Sequence, residues 1–150
     1  MNQQQPEESL TFKIGLSGTF WSKFPKYSVA VNGQSFAKGI IGSSDTGYIE
    51  FTCNLQENTE HELQIRLENK IKDDTVENED KTGIVKDMLL NIDSIEIDGI
   101  DIGQLKWTAS KFYPDDKGYN ELANCVNLGW NGTYVLKFNS PFYPWLLENM

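Results

Sequence analysis

GYIEFTCNLQENTEHELQIRL, residues Gly47–Leu67, decides the fold class. Ile49, Phe51, Cys53 and Leu55 share one parity, while Glu50, Thr52 and Asn54 share the other. That period of two belongs to a strand with one buried and one wet face. The polar run QENTE then turns the chain, and Leu63, Ile65 and Leu67 repeat the pattern against Gln64 and Arg66. Two amphipathic strands joined by a short polar turn predict an antiparallel pair.

Leu10, Phe12, Ile14 and Leu16 alternate with Thr11, Lys13 and Gly15 on the N-terminal side. Tyr27 to Val31 runs into Asn32-Gly33, a two-residue hairpin signal, with GQSFAKGII as the partner strand. Beyond the opening stretch, Met88, Leu90 and Ile92 share one parity and Ile95 and Ile97 the other, so an extra residue near Asp93 and Ser94 predicts a β-bulge. IDIGQLKW reads as a further short strand, and CVNLGW leads to a turn at Asn131-Gly132. In TYVLKF, Tyr134, Leu136 and Phe138 face one way.

No helical period outlasts two turns except in the final residues. The expected fold is therefore all-β: an antiparallel two-sheet β-sandwich of the jelly-roll type with two long loops, near 68–87 and 108–122. Residues 1–9 are expected to form a flexible lead and 10–150 a single domain that includes the aromatic C-terminal segment. With 150 residues, the chain can bury a core without a metal or disulfide staple. Cys53 and Cys125 lie outside any CxxC or zinc pattern and are expected to be reduced core residues.

A net charge of -9 repels phosphate backbones and anionic lipid, which argues against nucleic acid and membrane partners. No apolar run approaches the length of a membrane-spanning helix. The start, MNQQQPEESL, carries no signal-peptide pattern. Catalytic chemistry is thinly supplied: the one histidine, His61, has no nucleophile beside it in sequence, and the plentiful carboxylates lie in polar loops where they stay ionised. The expectation is a protein that is not an enzyme.

Three groups of residues are candidates for function. Asn69, Asp73, Asp74 and Asp87 offer hard oxygen ligands around an acidic loop, a candidate calcium site, with solvation by water and nearby lysines as the alternative. Trp21, Trp107 and Trp130 are candidate rings for stacking on sugars, with plugging of the sandwich ends as the alternative. In FNSPFYPWLLENM, Phe142, Tyr143, Trp145 and Leu146 are candidate interface anchors; this tail either folds over the chain's own core or enters a neighbour, with Phe142 assigned to the first role and Trp145 to the second.

The order YSVAVNGQ, GYIEFTCNL, EHELQIRLENK and VKDMLLNIDSIEIDG, over about residues 27–99, resembles the small calcium-dependent carbohydrate-binding β-sandwich modules attached to xylan-degrading enzymes. Asn69, Asp87, Leu90, Asp93, Ile95, Ile97 and Gly99 fall on that family's pattern, while Lys70 stands where the family has an aspartate. The resemblance implies calcium near Asn69 and Asp87 and a glycan as partner. The latter half, with VKDMLLNIDSIEIDGIDIG, CVNLGWNGTYVLKF and the aromatic tail, is similar in style to small accessory proteins of tailed bacteriophage virions.

Two functions from different classes follow. The leading expectation is a noncatalytic structural or attachment protein, working through protein partners or self-association in an assembly such as a bacteriophage virion. The alternative is a calcium-assisted carbohydrate-binding module, which would be extracellular. Ca2+ is the one cofactor candidate.

Overall fold

Alternation becomes pairing in a computed structural model, which describes residues 6–71, 74–81, 83–116 and 118–150. Along the chain run β1 (Glu7–Thr19), β2 (Lys26–Val31), β3 (Gln34–Ile40), β4 (Gly47–Gln56), β5 (Thr59–Leu67), β6 (Thr75–Glu77) and β7 (Ile84–Asp87). There follow β8 (Leu89–Ile97), β9 (Ile100–Asp101), α1 (Leu105–Thr108), β10 (Ser110–Pro114), β11 (Leu122–Ala123), β12 (Asn127–Leu128), β13 (Gly132–Ser140) and α2 (Phe142–Asn149).

Two antiparallel sheets pack into the expected sandwich, one ordered β12-β8-β1-β4 with β9 also on β8, the other β11-β10-β13-β5-β2-β3. From the first, Leu10, Phe12, Ile14 and Leu16 point inward; from the second, Leu63, Ile65, Leu67, Tyr134, Leu136 and Phe138 meet them, all shielded from solvent. Each such aliphatic or ring side chain contributes about 1.5–3 kcal/mol of transfer free energy before entropy is counted. Asn32 and Gly33 both adopt positive φ, 52° and 84°, as the tight turn between β2 and β3 requires.

The bulge lies where the parity break places it. Gly15 faces Ser94 and Leu16 faces Ile92, so Asp93 is the extra residue that keeps both Ile92 and Ile95 inside.

Several local expectations change. β1 starts at Glu7, so residues 7–9 of the expected lead are paired, Glu7 and Glu8 opposite Gln56 and Leu55. The acidic 68–87 segment holds the hairpin β6–β7. IDIGQLKW is only briefly a strand before it turns into α1. The 108–122 excursion contains β10, which pairs with β13. Asn131-Gly132 is not a hairpin turn but a crossing between sheets, since β12 belongs to one and β13 to the other. A Cβ on Gly132 would lie 2.4 Å from the Tyr113 carbonyl oxygen, so the close approach of β10 excludes any side chain there.

The C-terminal tail closes one end of the sandwich. Phe142, Trp145 and Leu146 of α2 are buried, and the Trp145 ring stands edge-on to Phe138 with centroids 6.3 Å apart. Trp145, assigned to a partner contact, and Leu146, offered as an anchor, thus face inward with Phe142, and their surface is spent on the chain's own core. Only Tyr143 of the four anchor candidates is exposed. The opposite end, where β1 and β5 finish and β2 and β13 begin, is covered by loops.

Candidate functional site

The loop end gathers residues 20–25, 68–71 and 74, the hairpin β6–β7, and the segments 115–116, 118–121 and 129–131. Polar side chains fasten these to one another. Asn69, just past β5, accepts from the Lys26 N–H at 2.8 Å and donates to the Phe24 carbonyl at 3.1 Å, holding the entry of β2. Asp74, 1% exposed, accepts from the Ser22 hydroxyl and from the Ile71 N–H at 2.8 Å, with the Lys23 ammonium 3.1 Å away. Burial alone would raise the Asp74 carboxyl, but the bonds from Ser22 and Ile71 and the charge of Lys23 outweigh it and hold the group below the usual carboxylate range.

Asp87 ends β7 and pairs with the Lys70 ammonium; the same carboxylate oxygen accepts from the Thr75 hydroxyl at 2.7 Å. Lys70 Nζ also donates to the Met88 carbonyl at 2.9 Å. The Lys70 backbone is gripped as well: its N–H donates to Asn131 Oδ1 at 2.7 Å and its carbonyl accepts from Asn131 Nδ2 at 2.9 Å. Asn131, read in the sequence only as a turn residue, thus ties the 129–131 segment to the end of β5.

The described candidates for calcium, Asn69, Asp74 and Asp87, are turned toward donors of the chain itself. Calcium takes six to eight oxygens free to face it. Asn69 Oδ1 and Asp74 are already engaged by hydrogen-bond donors, and Asp87 by donors that include a cation. Among the described residues no three Asp, Glu, His or Cys side chains are grouped to hold a metal. Asp73 lies outside the described residues.

Rings stand on this fastened base. Trp130, directly before Asn131, is 41% exposed and faces Tyr119, 55% exposed, with centroids 5.8 Å apart. The Asp115 N–H donates to the Asn131 carbonyl at 2.8 Å, which brings the Tyr119 segment alongside. Trp21 lies under the Lys86 ammonium at 4.0 Å, beside the exposed Phe20. Trp107 is elsewhere, on α1 beneath its neighbour Lys106 at 4.4 Å, so the three tryptophans do not make one surface. Tyr119 and Phe20 join the surface without having been singled out from sequence; both lie in Gly- or Pro-bearing loops, a signal shared with many aromatic residues that pack inside.

Away from the loop end, a concavity opens on the flank between the edge strands β3 and β4, a cleft of about 400 Å3 lined by Asn32, Gln34, Phe36, Thr52, Cys53 and Asn54 among others. Phe36 stacks on Phe51 at 4.6 Å, and Phe51 on Phe12 at 5.1 Å, so a column of rings runs from the cleft into the core. Both cysteines are free thiols; Cys53 is buried, and burial pushes its thiol up to about 11. His61 is buried, its ring nitrogens bonded to the Asn32 amide at 2.9 Å and the Gln56 carbonyl at 2.8 Å. Both nitrogens are occupied, which leaves the ring a structural strut.

No protein-family model matches the chain, and no curated protein sequence does. Solved structures match it in fold. One is vCBM60 in complex with galactobiose, with a TM-score of 0.53 and 12% identity over 84% of this chain and 96% of that one. Another is the selenomethionine form of vCBM60, described within two circularly permuted families of calcium-dependent carbohydrate-binding modules, with a TM-score of 0.52 and 13% identity over 85% of this chain and 89% of that one. The chain shares its β-sandwich fold with these solved modules.

Proposed function

We propose that this chain is a noncatalytic carbohydrate-binding module whose ligand rests on the aromatic loop end. The observation that carries the reading is the exposed Trp130–Tyr119 pair, presented by loops that Asn131, Lys70 and Asp87 hold together. Part-exposed rings offer an apolar plane to the C–H face of a sugar. With a net charge of -9, neutral oligosaccharides are favoured over acidic ones. The shared fold with a module solved in complex with galactobiose makes short galactose-containing oligosaccharides the first ligands to try. A glycan ligand fits the extracellular location better than a virion. The assembly reading is less favoured, because three of its four anchor candidates, Phe142, Trp145 and Leu146, are buried in the chain's own core.

The test is calorimetry and tryptophan fluorescence against a panel of neutral oligosaccharides. Saturable binding that Trp130→Ala removes supports the reading. Saturable binding that survives Trp130→Ala but is lost in a Gln34→Ala/Asn54→Ala variant moves the ligand to the flank cleft, and absence of binding across the panel sinks the reading.

A further inference from the structure

The oxygen atoms that face Lys70 Nζ are those a hard metal ion would seek: the Asp87 carboxylate and the Met88 main-chain carbonyl. The ammonium is deeply placed, its side chain only 7% exposed, against 17% for Asp87. Its own main chain is clamped on both sides by Asn131. The lysine also reaches the third segment closely, since a Cβ on Gly129 would lie 3.8 Å from both Lys70 Nζ and Asp87 Oδ2. The ammonium thus ties the end of β5 to the β7–β8 junction, close beside the crossing into β13 that Asn131 fastens to the Lys70 main chain.

We propose that the Lys70 ammonium is a built-in cation that replaces a bound divalent metal at the loop end, so that this end keeps its shape, and any ligand it takes, without calcium. The chemistry favours one occupant over two. A divalent ion beside Nζ meets like-charge repulsion in a poorly solvated place and finds Asp87 Oδ1 already bonded to both Lys70 and Thr75. Conversely, exchanging the ammonium for a carboxylate leaves Asp87 without its counter-charge and sets a second hard oxygen donor beside it, the condition under which a metal becomes welcome.

The inference does not depend on sugar binding, because its readouts are metal binding and thermal stability of the intact chain. Melting of the wild type is recorded in EDTA and in millimolar Ca2+, and Tb3+ emission sensitised by the nearby tryptophans is titrated. Equal melting temperatures and no saturable emission are expected; a calcium-dependent rise, which site-specific binding would produce, overturns the proposal. Lys70→Asp is expected to melt roughly 10 °C lower in EDTA, to recover part of that loss with Ca2+ and to acquire saturable Tb3+ emission. A Lys70→Asp chain that melts like the wild type and stays silent to both ions also overturns it. Should that variant fail to fold in either condition, the wild-type titrations decide the matter, and Lys70→Met, with its apolar stem kept, is expected to lose stability that Ca2+ does not restore.

Discussion

The Glu8 carboxylate accepts the backbone N–H of Phe142 at 2.9 Å and the Ser140 hydroxyl at 2.8 Å, joining the second residue of β1 to the first turn of α2. Pro141, the residue before the helix, offers no side-chain cap of its own, so a negative charge from the far end of the chain satisfies an otherwise free donor where the helix dipole is positive. Charge-assisted bonds of this kind contribute roughly 1.5–3 kcal/mol. Glu8→Ala is expected to lower the denaturation midpoint accordingly, and Glu8→Gln to recover part of the loss, because an amide oxygen still accepts but carries no charge.

Trp145→Ala removes a buried ring that packs against Phe138 and Phe142. The expected cost is about 3–5 kcal/mol in urea unfolding. Tyr143→Ala, at an exposed position on the same helix, is expected to change stability by no more than about 0.5 kcal/mol. Equal effects of the two would contradict the burial of the tail.

Trp130→Ala is expected to leave stability within about 0.5 kcal/mol, since the ring is part-exposed. Its effect on binding a neutral oligosaccharide is expected to be roughly tenfold or more, about 1.4 kcal/mol. Trp107→Ala, on α1 away from the loop end, serves as the control and should leave affinity unchanged.

Acid should loosen the loop end first. The Asp74 carboxyl is held below its unfolded value of about 3.9, so its contribution is fully present above pH about 4 and is lost as pH falls through the folded value. Unfolding free energy measured between pH 6 and 2 is expected to decline in the acid part of that range. Asp74→Asn should be less stable at pH 6 and show a shallower decline.

Cys53 combines burial with a thiol pushed up to about 11, so little of it is thiolate at pH 8. Native-state labelling with a disulfide reagent is expected to be much slower at Cys53 than at the half-buried Cys125, with both reacting fast in denaturant. Peptide mapping after brief labelling checks the order.

Strand pairing was legible in the sequence wherever one face is buried, because alternation is then forced; Leu10–Leu16 and Ile49–Leu55 are examples. The parity slip at Asp93 even located a bulge. The short elements were not legible: Thr75–Glu77 has no inward face to pattern, and the single turn of α1 is too brief to show a period. At the loop end, residue types pointed to a cation among Asn69, Asp74 and Asp87, but the oxygens' partners depend on chain crossings. Asn131 reaches Lys70 across 61 positions, which no local pattern encodes. Trp145 was misassigned for the same reason: an aromatic residue after two prolines reads alike whether it turns inward or outward.

Glu8 and α2 place both described ends of the chain at one pole of the sandwich, while Trp130 and Tyr119 stand at the other. A tether fixed at either end therefore leaves the rings facing away from whatever holds it. Immobilised on a bead or fused to a carrier by either end, the domain should keep its aromatic pole open to solution.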